Sequence, residues 1–164
     1  MIRFARIATP QGTLVAIARD AALTGLYFEN QKYFPPMDPA WREDPGAAPL
    51  AECARQVHEY FEGSRTVFDL PLAPEGTDFQ RRVWEEIARI PFGKTITYSQ
   101  LASRAGAPGS ARAAGAATGR NPISIVVPCH RVVGTDGSLT GYAGGLHRKT
   151  ALLEMEGALQ PNLI

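Results

Sequence analysis

Ile123-Ser124-Ile125-Val126-Val127-Pro128-Cys129-His130-Arg131-Val132-Val133 brings a β-branched apolar run to an end on a cysteine and a histidine. Such a run predicts a buried strand, which would set Cys129 on a rigid, dry scaffold. A cysteine in that place is ordinarily a small core residue. Three neighbours point to chemistry instead. Pro128 removes a ladder donor and forces a turn at Cys129. His130 adds a titratable base and Arg131 a fixed positive charge, a setting that lowers a thiol pKa below about 8.5.

Working outward, the chain has 164 residues, 45% of them hydrophobic, and a formal net charge of +1. This suits a soluble globular protein of one large domain or two small ones. No apolar run approaches the ~18 residues of a membrane span. The start, Met1-Ile2-Arg3-Phe4-Ala5-Arg6, lacks the apolar core of a signal peptide, so the expected compartment is the cytoplasm, with no membrane partner. Cys53 and Cys129 are too few for a disulfide framework. With His58, His130 and His147 they show no zinc-ligand spacing, so neither metal nor cofactor is expected.

The near-neutral total hides an asymmetry. Residues 1–76 carry 7 Lys/Arg against 10 Asp/Glu, a net of −3, and residues 77–164 carry 10 against 6, a net of +4. From Ile87 to Thr135 there are Arg89, Lys94, Arg104, Arg112, Arg120 and Arg131 and no acidic residue. A polyanion would be drawn to this segment, although a solvated basic face without a partner has the same composition.

In chain order, residues 3–8, 14–18 and 23–28 predict a three-stranded meander with turns at Thr9-Pro10-Gln11-Gly12 and Asp20-Ala21-Ala22. Pro35, Pro36, Pro39, Pro45 and Pro49 mark residues 30–49 as an irregular loop. A helix follows, with Leu50, Cys53, Ala54, Val57 and Phe61 on one face, which makes Cys53 a core residue. Residues 66–70 are expected to return as a strand and 71–76 to form a linker. The domains are thus 1–76 and 77–164.

The second half opens with Thr77 as N-cap of a helix over 78–90, striped by Phe79, Val83, Ile87 and Ile90 and stopped by Pro91 and Gly93. Helical patterns over 99–105 and 110–118 flank the turn Ala107-Pro108-Gly109, the pattern of a helix-turn-helix; Ser110 is the expected cap of the second. That second helix, Ala111-Arg112-Ala113-Ala114-Gly115-Ala116-Ala117-Thr118, has almost no side chain long enough to read base edges. It is expected to meet DNA without choosing a sequence, Arg112 being its one long cationic arm. An ordinary packed alanine-rich helix is the alternative.

Beyond Cys129, Thr135-Asp136-Gly137-Ser138 predicts a hairpin turn and Thr140-Gly141-Tyr142-Ala143-Gly144-Gly145 a glycine-rich loop. A final helix over 146–156 is apolar at Leu152, Leu153 and Met155, ends on Glu156 and has Gly157 as its cap.

Taken together, Pro128-Cys129-His130-Arg131, Asn121-Pro122, Gly141-Tyr142-Ala143-Gly144-Gly145 and Leu153-Glu154-Met155-Glu156-Gly157 resemble the O6-alkylguanine-DNA alkyltransferases, or methylated-DNA-protein-cysteine methyltransferases. The resemblance runs back through Arg112-Ala113-Ala114-Gly115, Ile90-Pro91-Phe92-Gly93 with Tyr98, and Phe79-Gln80-Arg81-Arg82-Val83-Trp84. Residues 1–76 resemble the family's variable N-terminal domain. The implied fold class is α/β (α+β): a ribonuclease-H-like α/β domain followed by a mainly helical winged helix-turn-helix domain.

The resemblance implies DNA repair by direct reversal. It implies that a methyl or other alkyl group passes from O6-alkylguanine to Cys129 and that the chain is then spent, with O4-alkylthymine left open as a substrate. It implies that His130 takes the thiol proton through a water and that Glu156 orients His130. Asn121 ties the recognition helix to the cysteine turn, and Tyr98 assists rotation of the nucleotide and donates to the departing guanine. Arg112 fills the gap left by the extruded base, and Tyr98, Ser99, Ser110, Ala113 and Gly115 face the DNA. The Val132 carbonyl, Tyr142, the Ala143 amide and Gly144 line the guanine pocket. The partner is duplex DNA without sequence preference, bound by a chain that is a monomer in solution, with cooperative assembly on DNA left open. Ser124, Thr118 and Ala143 stand where relatives carry other groups, which leaves the range of alkyl groups open. Two readings compete: a damage-sensing DNA-binding protein without transfer, against which Cys129 argues, and a cysteine hydrolase of another class.

Overall fold

Strand β1 (Ile2–Thr9) turns back through Pro10 and Gln11 into β2 (Gly12–Arg19), and β3 (Ala22–Phe28) completes the antiparallel meander. The Thr9 hydroxyl closes the first turn by donating to the Gly12 carbonyl at 2.6 Å and accepting from the Gln11 amide at 3.1 Å. Leu14 to Ala18 are all buried, as expected of a central strand covered on both faces. This computed structural model describes residues 1–159.

The proline-rich stretch contains an element that was not expected. Strand β4 (Arg42–Glu43) pairs parallel to β1, giving the sheet order β3-β2-β1-β4. Two residues are too short to leave a period in the sequence. The other sheet edge, β3, is closed by irregular backbone: Leu23 bonds to Pro71 and Ala73, and Leu26 to Pro122 and Ser124, at 2.8–2.9 Å. The strand expected over 66–70 does not form; this single bridge at Leu72 takes its place. Paired in this way, β3 is not left as an open edge.

Helix α1 (Ala48–Glu62) ends on Gly63 in the left-handed region and packs against β1 and β2. Its buried face is Leu50, Cys53, Gln56, Val57 and Tyr60, so Tyr60 and not Phe61 completes the stripe. Cys53 is a core residue, and burial pushes its thiol up to about 12. Residues Met1–Glu75 and Pro122–Ser124 form one compact unit. A linear division at 76/77 leaves out this return of 122–124, in which the Ser124 hydroxyl lies 3.3 Å from Gln31 Oε1.

Gly76–Asn121 and the described residues from 125 to 159 form the second unit. Helix α2 (Asp78–Ala88) starts on a complete capping box between Thr77 and Gln80, and α3 (Tyr98–Arg104) on one between Thr97 and Gln100. The turn at Gly106 to Gly109 leads into α4 (Ala111–Gly119), which packs on α2 and α3. Ser110 occupies the N-cap position of α4 but makes no side-chain capping bond. Trp84 fixes the far end of α4 by donating its indole N–H to the Ala117 carbonyl at 2.8 Å.

Two strands of two residues, β5 (Ile96–Thr97) and β6 (Val132–Val133), pair in parallel beside α3. The turn at 135–138 forms, with the Gly134 amide bonded to the Ser138 carbonyl, but no paired strands flank it, so it is not a hairpin. Helix α5 (Leu146–Met155) ends before Gly157, which has φ +74°. Its buried face is Arg148, Lys149, Leu152 and Leu153, whereas Met155 is exposed. The mixed α/β class, a sheet unit followed by a mainly helical unit, matches the expectation.

Candidate active site

The apolar run before Cys129 is buried but is not a strand. After the bridge at Ile123 the chain turns, Ile125 adopts φ +70°, and Cys129–Arg131 form a single 3₁₀ turn. An unbroken apolar run has no alternation to distinguish a strand from a packed irregular segment. Asn121 supplies the missing hydrogen bonding. Its amide N–H bonds to the Thr118 carbonyl at the end of α4, and its side chain donates to the Val127 carbonyl at 2.8 Å. Asn121 therefore joins the helix to the cysteine turn.

Cys129 is 4% exposed. Burial pushes its thiol above the ordinary range, opposed by the Asn121 side chain, by the positive charge of Lys149 and by backbone hydrogen bonds. Sequence reasoning expected the neighbours to win. They do not, because desolvation outweighs them and the guanidinium of Arg131 is spent on Glu156, so the resting sulfur is a thiol.

His130 is fully buried, and its Nε2 lies 2.7 Å from Glu156 Oε2 at the end of α5. Arg131 clamps the same carboxylate, donating from Nε to Oε1 at 2.8 Å and from Nη2 to Oε2 at 3.0 Å, while Nη1 reaches the Ile90 carbonyl at 2.7 Å. A carboxylate only accepts, so Nε2 carries the proton and the lone pair is on Nδ1. Among the described residues Nδ1 has no hydrogen-bond partner. Burial lowers the His130 pKa against the raising effect of Glu156, which keeps the ring neutral and basic at neutral pH.

Tyr98, the first residue of α3, donates its hydroxyl to the Thr140 carbonyl at 3.3 Å. Burial pushes this phenol up to about 12, so it remains a donor. Lys149 is entirely buried, and its Nζ donates to the carbonyls of Val132, Thr140 and Gly141. The Tyr142 ring stands edge-on to His130 at 6.5 Å, Ala143 is half-buried, and the buried Gly144 gives its carbonyl to Arg148 at 3.0 Å. The expected residues Cys129, His130, Asn121, Glu156 and Tyr98 thus gather in one unit with Val132 and Tyr142.

Sequence reasoning missed Lys149 and the clamping role of Arg131. A signal for the first existed: Lys149, Leu152, Leu153 and Glu156 follow the i, i+3, i+4, i+7 spacing of one helix face.

On α3 and α4, Ser99, Ser110, Arg112 and Ala113 are exposed and Gly115 is half-buried beside the Tyr98 ring. The Ser99 hydroxyl lies 3.1 Å from that of Thr135. Within the acid-free segment Arg131 is internal and Arg89 pairs with Glu86, while Lys94, Arg104, Arg112 and Arg120 are exposed. Among the described residues no group of three or more His, Cys, Asp or Glu is placed to hold a metal, and no helix is long and apolar enough to cross a membrane.

Residues 78–158 match the family model described as the DNA binding domain of 6-O-methylguanine DNA methyltransferase, and residues 2–74 its ribonuclease-like domain. The methylated-DNA--protein-cysteine methyltransferase of Mycobacterium bovis is 47% identical over 161 residues, covering 98% of this chain and 96% of that one. The protein of the same name from Methanosarcina barkeri is 45% identical over 150 residues, covering 92% and 94%. The crystal structure of Mycobacterium tuberculosis OGT in complex with DNA superposes with a TM-score of 0.87 at 45% identity, covering 95% of this chain and 93% of that one. With both domain models matched in order and relatives near half identity along almost the whole length, the chain belongs to the 6-O-methylguanine-DNA methyltransferase family.

Proposed function

We propose that this chain repairs alkylated DNA by moving an alkyl group, such as methyl, from O6 of guanine to the sulfur of Cys129, once per chain. The observation that carries the reading is the buried array of Asn121, Cys129, His130 and Glu156, in which His130 Nδ1 has no hydrogen-bond partner among the described residues.

The chemistry follows from that array. The thiol proton passes to Nδ1 through a water, and Glu156 stabilises the imidazolium that results. The thiolate attacks the saturated carbon, an S–C bond forms and the C–O6 bond breaks, its electron pair remaining on the guanine. Tyr98, held protonated, donates a hydrogen bond to that leaving base. A thioether offers water no leaving group, so the sulfur is not regenerated. The O6 atom lies within the base stack, so the nucleotide is extruded at a cost of a few kcal/mol, with Arg112 of α4 filling the gap. The short side chains along α4 let it approach DNA without reading sequence. Val132, Tyr142, Ala143 and Gly144 form the guanine pocket, and Ser99, Ser110, Ala113 and Gly115 meet the DNA. A reactive thiol without a disulfide partner suits a reducing compartment, so we place the chain in the cytoplasm.

The test is the mass of the intact protein after incubation with duplex containing O6-methylguanine. One added methylene, mapped to Cys129, is the expected result. An unchanged mass with retained DNA binding would make the chain a damage sensor, and repeated turnover would make it a hydrolase.

A further inference from the structure

Lys149 is fully buried on α5, yet its ammonium faces no carboxylate within ion-pair distance among the described residues. Its Nζ donates to Val132 at 2.6 Å, Thr140 at 2.9 Å and Gly141 at 3.2 Å, and lies 5.8 Å from the centre of the Tyr98 ring. Three carbonyl acceptors match the three N–H bonds of an ammonium, whereas a neutral amine has two. The site is therefore built for a charged lysine. A buried charge without an anion costs several kcal/mol. The anion that forms nearby during the proposed reaction is the Cys129 thiolate.

We infer that Lys149 is a positioning residue for alkyl transfer: it fixes the Val132 carbonyl and the Thr140–Gly141 backbone, and its charge favours the thiolate over the thiol of Cys129. The inference rests on Cys129 being the acceptor. Arg131 cannot supply this field, because its guanidinium is spent on Glu156 and Ile90. Among the described residues, the groups that act electrostatically on the sulfur are the Asn121 side chain, the His130 backbone amide and the Lys149 ammonium, and the sulfur acts in turn on Tyr98. Of these, Lys149 alone is a cation at neutral pH. Burial lowers its pKa to about 8, and the negative charge of Cys129 works in the opposite direction, so the coupling is mutual.

The experiment uses the full chain and iodoacetamide, a small neutral electrophile. Cys53, pushed up to about 12, does not compete. In Lys149→Met, carbamidomethylation of Cys129 at neutral pH is expected to be about tenfold slower than in wild type, with the rate profile displaced to higher pH. A purely structural role predicts the reverse, since a loosened loop exposes the sulfur and speeds the reaction. An unchanged or faster rate overturns the inference. Lys149→Arg keeps the charge and is expected to keep the wild-type profile; a displaced profile there overturns the inference even if Lys149→Met does not fold. Failure of Cys129 as acceptor is read separately, from the mass of wild-type protein after exposure to methylated duplex.

Discussion

Glu156 Oε2 lies 2.7 Å from His130 Nε2, and both side chains are wholly shielded from solvent. The same carboxylate holds Arg131, so one acidic group fixes the tautomer of the base and neutralises a buried cation. Glu156→Gln keeps the shape and removes the charge. It is expected to slow methyl transfer by about 10²–10⁴-fold, because the amide can present a donor to Nε2 and favour the wrong tautomer. It also leaves Arg131 buried without its anion, at a cost of about 3–5 kcal/mol. Single-turnover transfer rates and urea denaturation of the same variant check both halves. Full-rate transfer would remove Glu156 from the mechanism.

His130 sets a pH dependence whose sign follows from burial. Its folded pKa lies below the ordinary 6.5. Between those two values the unfolded chain binds more protons than the folded one, so stability falls as pH drops through this window and levels off below it. Transfer weakens over the lower part of the same range, as Nδ1 becomes protonated. Denaturation midpoints across mildly acidic pH should show the slope in wild type and a shallower one in His130→Gln. Equal slopes would mean that His130 titrates normally.

Much of this arrangement was legible because its signals are local. Thr77 as a cap, the glycine after α3 and the turn residues between the strands of the meander each act within a few residues. The strand misread at 123–128 shows the limit: its backbone partners are Leu26 and Asn121, which no periodicity in the run can reveal. Arg131 was expected to act on the thiol and Lys149 carried no expectation, because their partners, Glu156 and the carbonyls of 132–141, are brought to them by the fold. For the same reason the thiol was expected to be acidic, when desolvation decides its resting state.

Trp84 ties α2 to α4 through an N–H···O bond to the Ala117 carbonyl, 2.8 Å long and buried. Trp84→Phe removes the donor and part of the ring, leaving a carbonyl in the last turn of α4 short of one partner. The expected loss is about 1–3 kcal/mol. A lower denaturant midpoint with an unchanged slope is the expected observation, and an unaltered midpoint would show that the bond contributes nothing net.

Arg112 projects from α4 into solvent, apart from the buried array around Cys129. If its guanidinium fills the stack after extrusion, Arg112→Ala is expected to slow transfer from duplex by at least about tenfold, since the substitution restores part of the cost of unstacking. Reaction with the free modified base requires no extrusion and should stay at the wild-type rate. A phosphate contact alone would instead weaken duplex binding uniformly and flatten its salt dependence by about one charge. Measuring both substrates with both proteins across a salt series tells the two roles apart. Equal losses on duplex and free base would refute gap filling and place Arg112 within the support of the site itself.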